Sequence, residues 1–71
     1  MTNRPITKLV HVDEYVAEVD IDLIYAENDW SPYLSVSDAA KLDDVREALK
    51  RKDIESASRL ARVYKLLPVA V

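Results

Sequence analysis

Eleven consecutive residues, Tyr15–Tyr25, alternate along the chain without a break. Tyr15, Ala17, Val19, Ile21, Leu23 and Tyr25 fall on one face of an extended segment, and Val16, Glu18, Asp20, Asp22 and Ile24 fall on the other. Period two marks a strand with one buried face, so the chain must build a sheet and cover one side of it. The cover has to come from very little material. The chain has 71 residues and a mass of 8.1 kDa, which is one domain, residues 1–71. A domain of this size buries about 60% of the surface its unfolded chain exposes, which leaves one thin core. A doubly wound sheet, a barrel or an enclosed cofactor pocket does not fit.

The flanks of the long strand read as follows. Met1–Pro5 is polar and expected to fray. Ile6–Val12, with β-branched Val10 and Val12, reads as a first strand. Asp13–Glu14 fits a two-residue turn, because Asp tolerates a positive φ. Ala26–Asp29, with Asn28, reads as a second turn, and Trp30–Val36 as a third strand. Pro32 has no N–H to donate and confines that strand to an edge. Ser35 and Ser37 are both candidate helix N-caps, and Ser35 with Asp38 three residues on resembles a capping box. A first helix is expected over Asp38–Arg51 on an apolar stripe of Leu42, Val45 and Leu49, flanked by Ala39 and Ala48. Asp43–Asp44 could kink it, since Asp prefers caps to interiors. Lys52–Asp53 breaks the helix, and Asp53 caps a second one over Ile54–Leu66. On that helix Ile54, Ala57, Leu60, Ala61, Val63, Tyr64 and Leu67 span an arc of about 180°, wider than the roughly 100° one core requires. Such a helix would need cover from two directions. Pro68 stops it, and Leu66–Val71 follows as an extended apolar tail whose Val69–Val71 could add to a sheet edge. The expected fold is α+β: an antiparallel meander of about three strands, two helices and the tail.

Composition removes whole classes of chemistry. There is no Cys, so there is no disulfide, thiolate catalysis or cysteine metal site, and no Gly, so there is no Gly-rich phosphate loop. The one histidine, His11, has no partner or pocket that the sequence identifies, and no catalytic residue, metal site or cofactor is expected. No segment resembles an export signal or a membrane span, which with the absence of cysteine leads to an expectation of a cytoplasmic protein. The net charge is −3, unlike that of a stand-alone nucleic-acid binder. It is unevenly spread: residues 1–37 carry 2 basic and 7 acidic side chains, and residues 38–71 carry 8 basic and 6 acidic. Pairing across the fold is the plainest account of that asymmetry.

Three groups are candidates for binding. Glu18, Asp20 and Asp22 repeat about 6–7 Å apart along one strand face, and three like charges in a row call for water, salt or a basic partner. Trp30 and Tyr33 flank Pro32. They either pack across the hairpin or anchor a partner together with Tyr64, Leu67, Val69 and Val71. Lys52, Arg59, Arg62 and Lys65 are candidate nucleic-acid contacts, too few for one copy to hold DNA alone; a solvated helix face is the plainer account of them. Glu55–Arg59 and Glu47–Arg51 have the i, i+4 spacing of intrahelical ion pairs.

Taken in order, the acidic strand Tyr15-Val-Ala-Glu-Val-Asp-Ile-Asp22, the segment Asp29-Trp-Ser-Pro-Tyr-Leu-Ser35 and the helix Leu42-Asp-Asp-Val-Arg-Glu-Ala-Leu49 resemble part of the HicB-like antitoxins and of small bacterial proteins encoded beside toxins. The resemblance covers roughly Tyr15–Leu49. It implies a non-enzymatic module that neutralises a basic, toxin-like protein by occluding it, with nucleic acid met only as part of a complex. Members of that family return to a strand after the helix, where this chain reads as a second helix. The alternatives are a self-associating accessory or scaffold subunit, in which the wide apolar arc makes a homodimer, and a DNA-binding regulator using the second helix.

Overall fold

The computed structural model describes residues 2–25 and 32–70, with the side chain of Thr2 left aside. The turn expected at Ala26–Asp29 and the candidate anchors Trp30 and Val71 lie outside the described residues. The elements run β1 (Thr2–Val12), β2 (Tyr15–Tyr25), β3 (Tyr33–Leu34), α1 (Val36–Lys50), α2 (Ile54–Leu60) and β4 (Arg62–Lys65). The fold is α+β, an antiparallel sheet with two helices on one face, as expected.

β1 and β2 form a hairpin of eleven residue pairs, from Val12 opposite Tyr15 to Thr2 opposite Tyr25. Its two-residue turn rests on Asp13, which takes φ 53° in the left-handed region. Residues 2–5, expected to fray, instead complete β1, because the length of β2 offers them a ladder. Pro5 is tolerated there for a reason of parity. In an antiparallel pair the N–H and C=O of one residue point to the same edge, and the edge alternates along the strand. Asp22, opposite Pro5, sends its N–H away from β1 to an α1 side chain. The position of Pro5 therefore faces the outer edge, where the missing donor breaks no ladder bond.

The other edge of β2 is shared end to end. β3 pairs with its far end, Leu23 opposite Leu34 and Ile24 opposite Tyr33, and β4 with its near end, Tyr15 opposite Lys65 through Glu18 opposite Arg62. β3 is shorter than the strand expected over Trp30–Val36: among the described residues only Tyr33 and Leu34 pair, and Val36 already begins α1. β4 replaces the second half of the expected second helix. That helix ends at Leu60, six residues before Leu66, and Ala61 turns extended. The apolar arc that spanned Ile54–Leu67 therefore does not exist as a helix face. Ala57 is buried in the core, and Val63 lies against it from the sheet. The reason is local composition joined to a tertiary partner. Val63 and Tyr64 favour strand, and Arg62 meets Glu18 and Asp20 only when the chain is extended beside β2.

α1 begins where Ser35 caps it, the Asp38 N–H donating to Ser35 Oγ at 3.1 Å, and it runs unbroken through Asp43–Asp44. It ends in a Schellman arrangement, with the Asp53 N–H on the Ala48 carbonyl (2.8 Å) and the Lys52 N–H on the Leu49 carbonyl (3.0 Å). This places Lys52 at φ 59°, a position that usually takes the glycine this chain lacks. Asp53 then caps α2, accepting from the Ser56 N–H at 3.2 Å. The core lies between the helices and the inner sheet face: Val10, Ala17, Val19 and Ile21 from the sheet, Val45, Ala48 and Leu49 from α1, and Ala57 from α2. This is the buried half of the β2 alternation closed by the α1 stripe, with Leu42 half-buried and Ala39 exposed.

Candidate partner-binding face

Among the described residues no helix lies over the second face of the sheet. Residues opposite one another in the ladder point to the same side. On the open side, His11, Val16 and Tyr64 therefore form one row, Leu9, Glu18 and Arg62 the next, then Thr7 with Asp20, Pro5 with Asp22, and Asn3, Ile24 and Tyr33. Tyr64, Glu18, Asp20, Asp22 and Tyr33 thus share one surface, although Tyr64 was expected on a helix. Leu67 and Val69 lie beyond β4 in the exposed segment 66–70, past the turn end of the hairpin.

The centre of the open face is an ion cluster. Arg62 grips Asp20 with both terminal guanidinium nitrogens, Nη1 to Oδ2 at 2.8 Å and Nη2 to Oδ1 at 2.9 Å, while its Nε reaches Glu18 at 3.5 Å. The Thr7 hydroxyl donates to Asp20 Oδ1 at 3.1 Å. The bidentate hydrogen bonds from Arg62, then that from Thr7, hold the Asp20 carboxyl down at about 2, against an ordinary 3.8. The same pairing raises Arg62 above its usual range. A hydrogen bond to Glu18 holds the Tyr64 phenol above its usual value. Arg62 therefore offsets two members of the acidic row. Asp22 makes no ion pair among the described residues.

β2 has a stretch between β3 and β4 where, among the described residues, no strand covers its edge, and α1 side chains serve it instead. Asp38 Oδ2 accepts from the Asp22 N–H at 3.0 Å, and Lys41 Nζ donates to the Asp20 carbonyl at 2.9 Å. In a full capping box the residue at the position of Asp38 would bond back to the cap; this carboxylate ties the helix to the sheet. The arrangement was missed from sequence, since its only trace is an acid and a base three residues apart at the start of a helix.

The candidate nucleic-acid residues are not gathered on one surface. Arg62 lies on the open sheet face and Arg59 in the helical layer, where it pairs with Glu55 at 3.0 Å, as its spacing predicted. Lys65 is 3.8 Å from Glu14, and Lys52 sits in the α1–α2 turn. The helix that would have aligned them ends at Leu60, and strand alternation sends Arg62 and Lys65 to opposite faces. Glu47, matched by spacing with Arg51, bonds Lys50 at 3.5 Å instead. His11 Nε2 lies 2.8 Å from the Asp13 carbonyl, buttressing the hairpin turn. Among the described residues no three His, Asp or Glu side chains converge as a metal site, and no helix is long and apolar enough to cross a membrane. No known protein family, curated protein or solved structure matches the chain.

Proposed function

We propose that the chain is a non-enzymatic protein-binding module of the antitoxin type, which neutralises a basic partner by covering it with the open face of its sheet. The observation that carries this reading is the alignment of Glu18, Asp20, Asp22, Tyr33 and Tyr64 on one uncovered surface. A tyrosine at each end supplies apolar contact area with a polar tip, the kind of residue enriched at binding hot spots. The acidic centre steers a basic partner and sets its register. Arg62 is the built-in occupant of that centre, so a partner guanidinium or ammonium has to align with Asp22 or exchange with Arg62. The chain returns to the sheet at β4 only after α2, so the second helix remains a departure from the element order that the HicB-like resemblance implies.

The test is co-expression. The reading frame adjoining this gene is expressed alone and together with the chain, and growth and co-purification are followed. Arrest by the neighbour alone, with rescue and co-purification in the pair, is the expected outcome. Reversal of charge at Asp22, which breaks no ion pair among the described residues, should then weaken the complex and flatten its salt dependence. A harmless neighbour that does not co-purify removes the reading.

A further inference from the structure

The molecule is too open for its mass. Its accessible surface is 5416 Å², whereas a compact monomer of 8.1 kDa exposes about 4,500 Å². The radius of gyration is 14.3 Å, against about 11 Å for a compact chain of this length. The excess, about 900 Å², is close to the roughly 800 Å² that each partner buries in a standard interface.

The apolar part of this surface is concentrated at the turn end of the hairpin. On the open face Leu9 is 62% exposed and Tyr64 48% exposed; half-buried Val16 lies directly beside Tyr64 and diagonal to Leu9, whose own row holds Glu18 and Arg62. Immediately beyond, the Leu66 N–H donates to the Glu14 carbonyl, at 2.6 Å, and the chain leaves the sheet. Leu67 and Val69 are then 75% and 85% exposed on a segment with no regular structure. One end of the molecule therefore holds both an apolar arm and an apolar patch, and the arm leads away from the patch of its own chain.

We infer that a second copy of this chain covers that end: the arm, Leu66–Ala70, of each copy lies on the Leu9–Val16–Tyr64 patch of the other about a two-fold axis near the hairpin turns. An isologous contact requires a self-complementary surface, and an arm beside the patch it fits is one. On the open face the charges beside the patch have both signs, Arg62 with Glu18, so two copies can approach without a like-charge field. The free edge of β1 is the less suitable contact between copies, because Arg4 and Lys8 on β1 would meet their own like charges there, with no acidic residue on that strand.

The experiment uses the chain alone. Sedimentation equilibrium from micromolar to millimolar concentration should give twice 8.1 kDa at the upper end. Leu9→Lys and Val69→Asp should each return the mass to that of the monomer with an unchanged circular dichroism spectrum, while Val36→Asp, at the far end of the sheet, should leave the dimer intact. Because the chain has no cysteine, Leu9→Cys and Val69→Cys can be placed in separate copies. Mixed and oxidised, they should cross-link each other in preference to themselves, and Val36→Cys with Val69→Cys should not. A monomer at every concentration, or a dimer indifferent to Leu9 and Val69, overturns the inference. The dimer covers Tyr64, so a second copy and the proposed partner exclude each other at that end of the face; the co-expression test follows a different protein and reads the partner separately.

Discussion

At the scale of the residue, the best-defined interaction is the pair of Asp20 and Arg62. Both side chains are more than half exposed, so solvent screens the pair and it positions β4 more than it stabilises the domain. Its signature is in titration. Asp20 is lowered from 3.8 to about 2, first by the Arg62 hydrogen bonds and then by Thr7. A carboxyl lowered by folding contributes stability that is present above its unfolded value and is lost as pH falls through the folded one. The window therefore runs from about pH 4 down to about pH 2. Carboxyl-detected NMR should find Asp20 still ionised at pH 3. In Arg62→Gln its midpoint should rise toward 3.8, stopping short because Thr7 still donates. An unmoved midpoint would mean that Arg62 does not hold Asp20 in solution. This pairing was legible only in part: the sequence shows three acids in a row and a surplus of base in the second half, but not which cation closes on which acid.

The two helices differ, as elements, in how much of them is local. The start of α1 is written in Ser35 and Asp38, and the start of α2 in Asp53, since a capping side chain acts within three residues of itself. The end of α2 is not local. Residues 61–65 are compatible with helix by apolar spacing and with strand by their β-branched and aromatic content, and the vacant edge of β2 decides between them. Asp38 separates the two kinds of cause. Its backbone N–H belongs to the cap, and its carboxylate bonds the sheet. Asp38→Ala keeps the Ser35 cap but leaves the Asp22 N–H without its acceptor, and should cost about 1 kcal/mol. Ser35→Ala removes the cap for a similar loss of about 1 kcal/mol. Hydrogen exchange tells them apart: Asp38→Ala should speed the Asp22 amide far more than Ser35→Ala does. Equal acceleration in both would show that α1 and the β2 edge open as one unit.

For the whole molecule, a chain of this length has about 4–11 kcal/mol of stability in total. Leu49 is fully buried where α1 meets the sheet, and its volume exceeds that of any other side chain so enclosed. Leu49→Ala should therefore remove about 2–5 kcal/mol, enough to bring the domain near its unfolding threshold. Urea denaturation with an unchanged slope and a much lower midpoint is the expected outcome; a loss under about 1 kcal/mol would place the centre of the core elsewhere.

The sequence by itself determined the hairpin from Ile6 onward with its left-handed turn residue Asp13, the start of α2, the start of α1 to within the choice of Ser35 or Ser37, and the inner half of the core. Each follows from side chains acting on their own backbone or from a period imposed by one strand. Only the tertiary structure decided that residues 62–65 join the sheet, that Tyr64 shares a face with the acidic row, and that Asp38 and Lys41 serve the uncovered stretch of β2. In those places the local preference is close to balanced. A partner more than twenty residues away in most cases, and sixteen in the case of Asp38, supplies the hydrogen bond that tips it.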